Sequence, residues 1–115
     1  MNILLVNVDS RWNMAIRRMF TYYCREGHKV EMRDLGLSGY PHKRYVTIDG
    51  TSFDQVYVSN IFDINKERVT VTGCENVTFG GIGSRDPHLQ LAPEIEATPP
   101  YYAPQRRTTR AHLRQ

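Results

Sequence analysis

The sequence predicts an α/β domain of three layers, built on a mostly parallel sheet of four to five strands, and three consecutive segments carry this prediction. Asn2 to Val8 reads NILLVNV, a run of branched apolar residues typical of a strand buried on both faces of a parallel sheet. Residues 11 to 26 then space their apolar side chains as a helix does, and His28 to Asp34 alternates them as a strand does. A strand, a helix and a strand in close succession form a right-handed crossover, so the two strands should be parallel.

The helix predicted over residues 11 to 26 has signals at both ends. Asp9 and Ser10 supply side chains that cap helix N-termini, and Gly27 supplies a C-terminal stop. The side chains expected to face the sheet recur three and four residues apart; they are Trp12, Ala15, Ile16, Met19, Phe20 and Tyr23.

Further elements follow at short intervals. Tyr45 to Ile48 is a candidate short strand, and Phe53 to Ser59 is a clearer strand that we expect beside the first one at the centre of the sheet. Ile61 to Val71 carries a weak helical pattern, and Val77 to Phe79 predicts a short last strand.

The character of the chain changes near residue 92. We expect the α/β domain to span residues 1–92, and residues 93–115 to form a proline-rich extended segment and a basic tail. Tyr101 and Tyr102 are expected to anchor the proline-rich segment, whereas residues 105–115, which include four arginines and no acidic residue, are expected to fray. The prolines that mark the change are Pro87, Pro93, Pro99, Pro100 and Pro104.

Composition limits the class of protein. Apolar residues make up 40% and charged residues 23% of the 115 residues, which is ordinary for a soluble globular protein. No apolar run reaches the roughly 20 residues that a membrane-spanning helix needs, and the residues before the first strand do not form a secretory signal. We therefore expect a cytoplasmic protein that does not engage a membrane.

The cysteines and histidines do not predict a metal centre. Cys24 and Cys74 are separated by fifty positions and have no C-x-x-C partner, so we expect two reduced thiols and no zinc or iron–sulfur site in this chain. The four histidines form no i, i+4 pair, and we predict neither a metal ligand nor a catalytic residue. The basic tail is either a solvated terminus or a contact for nucleic acid.

Polar and small residues follow three of the predicted strands. In an open parallel sheet, ligands bind beyond the carboxyl ends of the strands, where neighbouring connections diverge. Only a parallel arrangement brings these three connections to one edge, where we expect a cofactor-binding site. Its predicted residues are Asp9, Ser10, Ser59, Asn60, Gly80, Gly81 and Gly83.

Two of these features have an alternative structural explanation. The glycine turn that begins at Gly80 and Gly81 either lets a ligand approach the backbone or makes a tight turn that needs positive φ. Asp9 either contacts a ligand or caps the following helix, and both roles are compatible. The sequence leaves these alternatives open.

Four segments together resemble a known family. They are NILLVNVDS, YYCREGHKVEMRD, FDQVYVSNIF and, most specifically, VTFGGIGSRDPHLQLAPEIEATPPYY, which contains the L-x-P-E-I-E segment from Leu91 to Glu96. Over about residues 1–104, the chain resembles the amino-terminal domain of cobalamin-binding-type radical S-adenosylmethionine proteins. That resemblance implies a flavodoxin-like (Rossmann-like) domain that precedes a partial barrel holding a four-iron cluster on a C-x-x-x-C-x-x-C loop.

The chain departs from the family pattern at two places. Cobalamin domains supply a histidine through D-x-H-x-x-G after the first strand, but Asp9 is followed by Ser10, Arg11, Trp12 and Asn13. Cobalamin binding through a histidine ligand is therefore not expected; related domains either hold the corrinoid without that ligand or do not hold it at all. Thr108-Thr109-Arg110 resembles the T-T-R before the first cluster cysteine, yet no cluster cysteine follows, so this chain by itself holds no iron–sulfur cluster.

Three functions remain open from the sequence. The first is a non-catalytic accessory domain that binds a cofactor or substrate. The second is a fragment of a radical S-adenosylmethionine enzyme, active only with a barrel domain supplied in cis or trans. The third is a structural or interaction protein whose basic tail contacts nucleic acid.

Overall fold

A five-stranded, mostly parallel sheet is the centre of the computed structural model, which describes residues 1–9, 13–37, 44–61, 67–80, 91–102 and 108–112. The chain forms, in order, β1 (Asn2–Asn7), α1 (Met14–Arg25), β2 (Lys29–Asp34), β3 (Val46–Asp49), β4 (Gln55–Ser59), β5 (Val69–Thr72), β6 (Val77–Gly80), α2 (Pro93–Glu96) and β7 (Thr108–His112). The fold is therefore mixed α/β, as the sequence predicts.

The strands of the main sheet lie in the order β6-β4-β1-β2-β7. β1 pairs in parallel with both β2 and β4, β4 pairs in parallel with β6, and β7 is antiparallel to β2. The prediction that the first strand and the strand of Val56 and Val58 are adjacent and central is confirmed. Both strands carry side chains that are almost wholly excluded from water, among them Leu4 and Val56.

One face of the sheet is covered by α1. Ile16, Met19 and Phe20 of α1 pack against apolar side chains of β1 and β2, including Ile3 and Met32. These helical positions are three and four residues apart, which places them on one face of the helix. The predicted β-α-β unit is therefore present, with its two strands parallel.

The other face of the sheet packs against a second, two-stranded sheet. β3 and β5 pair in parallel, and their buried residues Ile48 and Val69 join a cluster with Leu4, Val6 and Val58. Because successive side chains of β1 point to opposite faces, the same strand contributes to both clusters. This arrangement explains why β1 reads as a continuous apolar run.

The helix begins later than predicted, and its cap is a different residue. Asn13 is the N-cap of α1: its backbone is extended (φ −61°, ψ 105°) and its side-chain oxygen accepts a hydrogen bond from the Ile16 N–H at 3.2 Å. The capping role expected of Asp9 is wrong, because the Asp9 carboxylate accepts a hydrogen bond from Ile61 N–H instead. Ser10 and Trp12 lie outside the described residues.

The helical pattern expected over Ile61 to Val71 is wrong in its last part. Val69–Thr72 is the strand β5, in which valine and threonine alternate. All four residues are β-branched, and β-branched residues favour the extended backbone of a strand. Pairing with β3 and the burial of Val69 outweigh a weak helical spacing. Residues 62–66 lie outside the described part of the chain.

The proline-rich segment is partly regular and docks on α1. Pro93–Glu96 forms the single turn α2, with proline in the first turn, where its missing N–H costs no hydrogen bond, and Ile95 is buried. Tyr101 stacks against Phe20 with ring centroids 4.9 Å apart, so its predicted anchoring role is confirmed, whereas Tyr102 is exposed and anchors nothing there. Neither α1 nor α2, the helices of the described residues, is long and apolar enough to cross a membrane.

The prediction that residues 105–115 fray is wrong for Thr108–His112. These residues form β7, which pairs with β2 from Lys29 to Arg33. Glu31 of β2 lies opposite Arg110 and accepts a hydrogen bond from its Nε at 2.8 Å. A basic sequence thus gains both ladder hydrogen bonds and a carboxylate partner at this edge.

Candidate functional site

The carboxyl ends of three parallel strands form one polar row. Asn7 of β1 lies in register with Ser59 of β4, and Ser59 lies in register with Gly80 of β6. Two backbone hydrogen bonds extend the pairing of these strand ends: the Val8 N–H donates to the Ser59 C=O at 3.0 Å, and the Asn60 N–H donates to the Gly80 C=O at 3.1 Å. The three strand ends that the sequence predicts at one edge are therefore together.

Asn13 ties the start of α1 to the end of β4. Its side-chain amide donates from Nδ2 to the Ser59 Oγ at 2.7 Å, while its Oδ1 caps the helix at Ile16. The positive end of the α1 dipole is consequently held against the carboxyl edge of the sheet, and the first turn of α1 has no acidic residue to offset it.

Asp9 ties the β1 connection to the β4 connection. One carboxylate oxygen accepts a hydrogen bond from the Ile61 N–H at 2.8 Å, which bridges fifty-two positions of sequence. Asp9 is partly exposed and stands beside buried neighbours. Asp34, which ends the neighbouring strand β2 in register with Asn7, is a second acidic group of this edge. The Asp9 carboxylate favours ligand groups that donate hydrogen bonds.

We call Asn7, Asp9, Asn13, Ser59, Asn60 and Gly80 the carboxyl-edge cluster. Four of its side chains are buried: Asn7 at 0%, Ser59 at 1%, Asn60 at 3% and Asn13 at 6% of their full exposure. An amide or hydroxyl buried without a partner costs about 1–3 kcal/mol, so a fold keeps such groups where they hold one another or a ligand. At this edge the Asn13–Ser59 hydrogen bond joins the start of α1 to the end of β4, and the Asp9–Ile61 hydrogen bond joins the residues that follow β1 and β4.

The predicted site residues divide into two groups. Asp9, Ser59, Asn60 and Gly80 lie together at the carboxyl edge, whereas Ser10, Gly81 and Gly83 lie outside the described residues. The sequence prediction missed Asn7 and Asn13. Asn13 had a usable signal, because asparagine directly before a run with helical spacing is a preferred N-cap. Asn7 had a weaker one, as the polar residue that interrupts the first apolar run.

A cleft of about 520 Å³ opens beside α1, below this edge. Met19 and Tyr23 of α1 form one wall, and Tyr57 and Thr78 of the sheet form another, with Leu91 near the start of α2 closing the end. Burial, and secondarily the neighbouring Tyr22, raises the pKa of Tyr23, so its phenol stays protonated and can donate a hydrogen bond. No residue of the carboxyl-edge cluster lines this cleft.

The thiols do not contribute a reactive group to the edge. Cys24 and Cys74 are both free, as predicted. Cys24 lies on the buried face of α1, and this burial raises the pKa of its thiol to about 11, which keeps it protonated at neutral pH. Cys74 belongs to the apolar cluster on the opposite face.

A histidine-ligated corrinoid does not fit the described residues of the carboxyl edge. His28, the histidine whose side-chain contacts the structure describes, lies at the opposite end of the sheet, with its Nδ1 3.1 Å from the amino group of Met1. The cluster itself offers amide, hydroxyl and carboxylate groups, which suit hydrogen bonding to a polar ligand.

Comparison of the chain with protein-family models, with curated proteins and with solved structures found no match in any of the three. Membership of a family is therefore not shown, and the resemblance to cobalamin-binding-type domains carries over only as a proposal. The described residues themselves show an α/β fold with a buried polar cluster at one edge of its sheet.

Proposed function

We propose that this chain is a non-catalytic binding module whose ligand lies over the carboxyl-edge cluster. The observation that carries the proposal is the row formed by Asn7, Ser59 and Gly80, capped by Asn13 and the start of α1. Hydrogen-bonding side chains, a helix N-terminus and a strand that ends on glycine converge there. Ligands of open parallel sheets bind at such an edge.

The strand order supports a flavodoxin-like form of the fold. Counting only the four parallel strands, β2, β1, β4 and β6 are the second, first, third and fourth along the chain. A doubly wound sheet of this order has its binding crevice at the end of the first and third strands. In this chain that position corresponds to the ends of β1 and β4, where Asp9 meets Ile61 and Asn13 meets Ser59.

The resemblance makes a corrinoid the first ligand to test. A corrinoid would be held here by hydrogen bonds from amide and hydroxyl side chains, without an imidazole from this chain. The carboxyl-edge cluster supports this form of binding because its groups both donate and accept. The alternative ligand is another small molecule rich in amide and hydroxyl groups.

A radical S-adenosylmethionine barrel, in cis or in trans, is the partner that the resemblance favours. The two cysteines of this chain cannot supply three cluster ligands, and they belong to clusters on opposite faces of the sheet. Any radical chemistry would therefore take place on the partner. In that association this chain would present its bound ligand and would carry no catalytic residue.

The test is a spectroscopic titration of the purified chain with hydroxocobalamin, adenosylcobalamin and cyanocobalamin. We expect a saturable change in the visible spectrum with at least one of them. Ser59→Ala should weaken binding about tenfold, the loss of a hydrogen bond to a buried group. Thr70→Val is the matched control, because it also removes a hydroxyl but lies on the exposed side of β5.

Each result has a defined meaning. Failure of all three corrinoids to bind would overturn the corrinoid form of the proposal. Equal affinities of the Ser59→Ala variant and the wild type, with Thr70→Val unchanged and circular dichroism native for all three proteins, would remove the carboxyl edge from the site.

A further inference from the structure

A second cleft, of about 490 Å³, lies beside the carboxyl end of β2, between the starts of β3 and β7. We call it the arginine cleft, because two arginines line it together with hydroxyl and aromatic side chains. It shares no residue with the carboxyl-edge cluster. The residues that line it include Arg33, Arg44, Tyr45, Thr47 and Thr108.

Arg33 is held in a fixed orientation. Its Nε donates to the Glu31 carboxylate, and its guanidinium lies over the Phe53 ring, 5.5 Å from the centroid. An arginine side chain has five N–H donors, so this ion pair uses one and leaves the two amino groups without an acceptor among the described residues. A guanidinium oriented in this way loses little freedom when it binds an anion.

Arg44 faces the same cleft with most of its donors available. One of its amino groups donates to the Leu35 C=O at 2.6 Å, which fixes the side chain at the mouth of the cleft. Its remaining N–H groups have no acceptor among the described residues. Two guanidinium groups at one cleft match the geometry of a phosphate, whose oxygens accept paired hydrogen bonds.

The charge balance around the cleft also favours an anion. Glu31 is shared by Arg33 and Arg110, so one carboxylate partners two arginines. Asp34, the carboxylate that lines the cleft, has an oxygen occupied by the Gly36 N–H at 3.1 Å. With Arg44 included, three arginines stand against two carboxylates, which leaves a net positive site.

Tyr45 adds an exposed aromatic ring to the cleft. It is 73% exposed, the largest fraction among the large hydrophobic side chains of the described residues. It directly follows Arg44, and Thr47 and Thr108 line the same cleft. An exposed ring beside a cationic anion site is suited to stacking on a planar base.

We propose that the arginine cleft binds a mononucleotide, with its phosphate on Arg33 and Arg44 and its base on Tyr45. The volume of about 490 Å³ falls in the usual range for small-molecule sites and is much larger than a bare phosphate needs. The arginine cleft shares no lining residue with the carboxyl-edge cluster, and it adjoins the cluster where the Leu35 N–H donates to the Asn7 C=O at 2.9 Å.

The test is calorimetric titration with adenosine 5′-phosphate, with inorganic phosphate and adenosine as separate arms. We expect adenosine 5′-phosphate to bind more tightly than either part. Arg44→Gln should weaken binding at least about tenfold, the loss of a charge-assisted hydrogen bond. Its matched control is Arg25→Gln, which removes the same charge at the exposed far end of α1 and should leave the affinity unchanged within about twofold.

A second pair of variants tests the stacking of the base on Tyr45. Tyr45→Ala should weaken adenosine 5′-phosphate about tenfold and leave inorganic phosphate unaffected, because only the base contacts the ring. Tyr102→Ala is the control, since Tyr102 is exposed to a similar extent, 69%, and lies outside the cleft. Circular dichroism of each variant establishes that the fold is retained.

Several results would overturn the proposal. One is the absence of saturable binding of adenosine 5′-phosphate with a Kd below about 1 mM. Another is an equal loss of affinity in Arg44→Gln and Arg25→Gln, which would show that the nucleotide is attracted by the net charge of the chain and not by this cleft. A third is binding of a short single-stranded oligonucleotide more than about tenfold more tightly than the mononucleotide, which would indicate that the cleft binds a nucleic acid instead.

Discussion

Arg17 and Tyr101 exchange two hydrogen bonds across eighty-four positions of sequence. The Tyr101 N–H donates to the Arg17 C=O at 3.1 Å, and the Arg17 Nη1 donates to the Tyr101 C=O at 2.6 Å. The Arg17 side chain is 1% exposed, so this contact replaces water that the guanidinium loses on folding. The same contact fixes the segment of residues 91–102 on α1.

Replacing Arg17 should therefore destabilise the fold. Arg17→Met removes the charged donor and leaves the Tyr101 carbonyl without that partner, which should lower the free energy of unfolding by about 2 kcal/mol. Arg25→Met, at the exposed end of the same helix, is the control and should cost less than about 1 kcal/mol. Equilibrium unfolding in urea measures both. Equal values for the two variants would show that the Arg17 contact contributes nothing specific.

The Glu31 ion pairs should make β7 docking depend on pH. Burial alone would raise the pKa of Glu31, but hydrogen bonds and charges from Arg110 and Arg33 outweigh it and lower the pKa from its ordinary value of 4.5. A carboxylate with a lowered pKa stabilises the folded chain above its ordinary value, and this stabilisation is lost as the pH falls through the lowered pKa.

Arg110→Ala tests this dependence. At pH 7 the substitution should cost about 0.5–1 kcal/mol, a small value because the Arg110 side chain is largely exposed. The difference between variant and wild type should shrink as the pH is lowered from 7 towards about 3, because protonated Glu31 no longer attracts the guanidinium. A difference that stays constant over this range would contradict the ion-pair account.

Two glycines with positive φ should differ in their sensitivity to substitution. Gly36 has a φ of 60° and open space around a built Cβ, so Gly36→Ala should cost about 1 kcal/mol from backbone conformation alone. Gly73 has a φ of 76°, and a Cβ there would clash with the Thr51 Oγ1. Gly73→Ala should therefore cost at least about 2 kcal/mol. Thermal or urea unfolding that ranked the two in the opposite order would contradict the packing of the β5 turn on Thr51.

The two thiols should react at different rates. Cys24 is buried and its pKa is raised to about 11, so a disulfide reagent at neutral pH should not label it in the folded chain. Cys74 is partly exposed and should be labelled first. We expect one thiol per chain to react under native conditions and the second after addition of denaturant. Prompt labelling of both would show that burial between α1 and the sheet does not protect Cys24.

The parts of the fold that the sequence predicts well depend on local patterns. The β1-α1-β2 unit follows from an apolar run, helical spacing and alternation, each of which is read within about a dozen residues. The central position of β4 beside β1 follows from apolar content, since such strands are buried on both faces. The type of each of these elements was therefore predictable, and their first and last residues were predicted to within a few positions.

The parts that the sequence did not predict depend on distant contacts. β5 is a strand because β3 pairs with it, and β7 is a strand because β2 offers an open edge and Glu31 offers a partner for Arg110. Such pairings are separated by more than twenty residues and leave no local pattern. At the candidate site, Asn13 was overlooked because Asp9 and Ser10 are equally good caps in sequence, and only the position of Ser59 distinguishes them.

The most direct test of the central claim is a nuclear magnetic resonance titration of the ¹⁵N-labelled chain with hydroxocobalamin. If the carboxyl-edge cluster binds the ligand, the amide signals of Asn7, Asp9, Asn13, Ser59, Asn60 and Gly80 should shift most and saturate together, while those of β7 and the start of β2 stay in place. Saturating shifts confined to any other part of the chain, or no saturating shift at all, would contradict the assignment of the site to this edge.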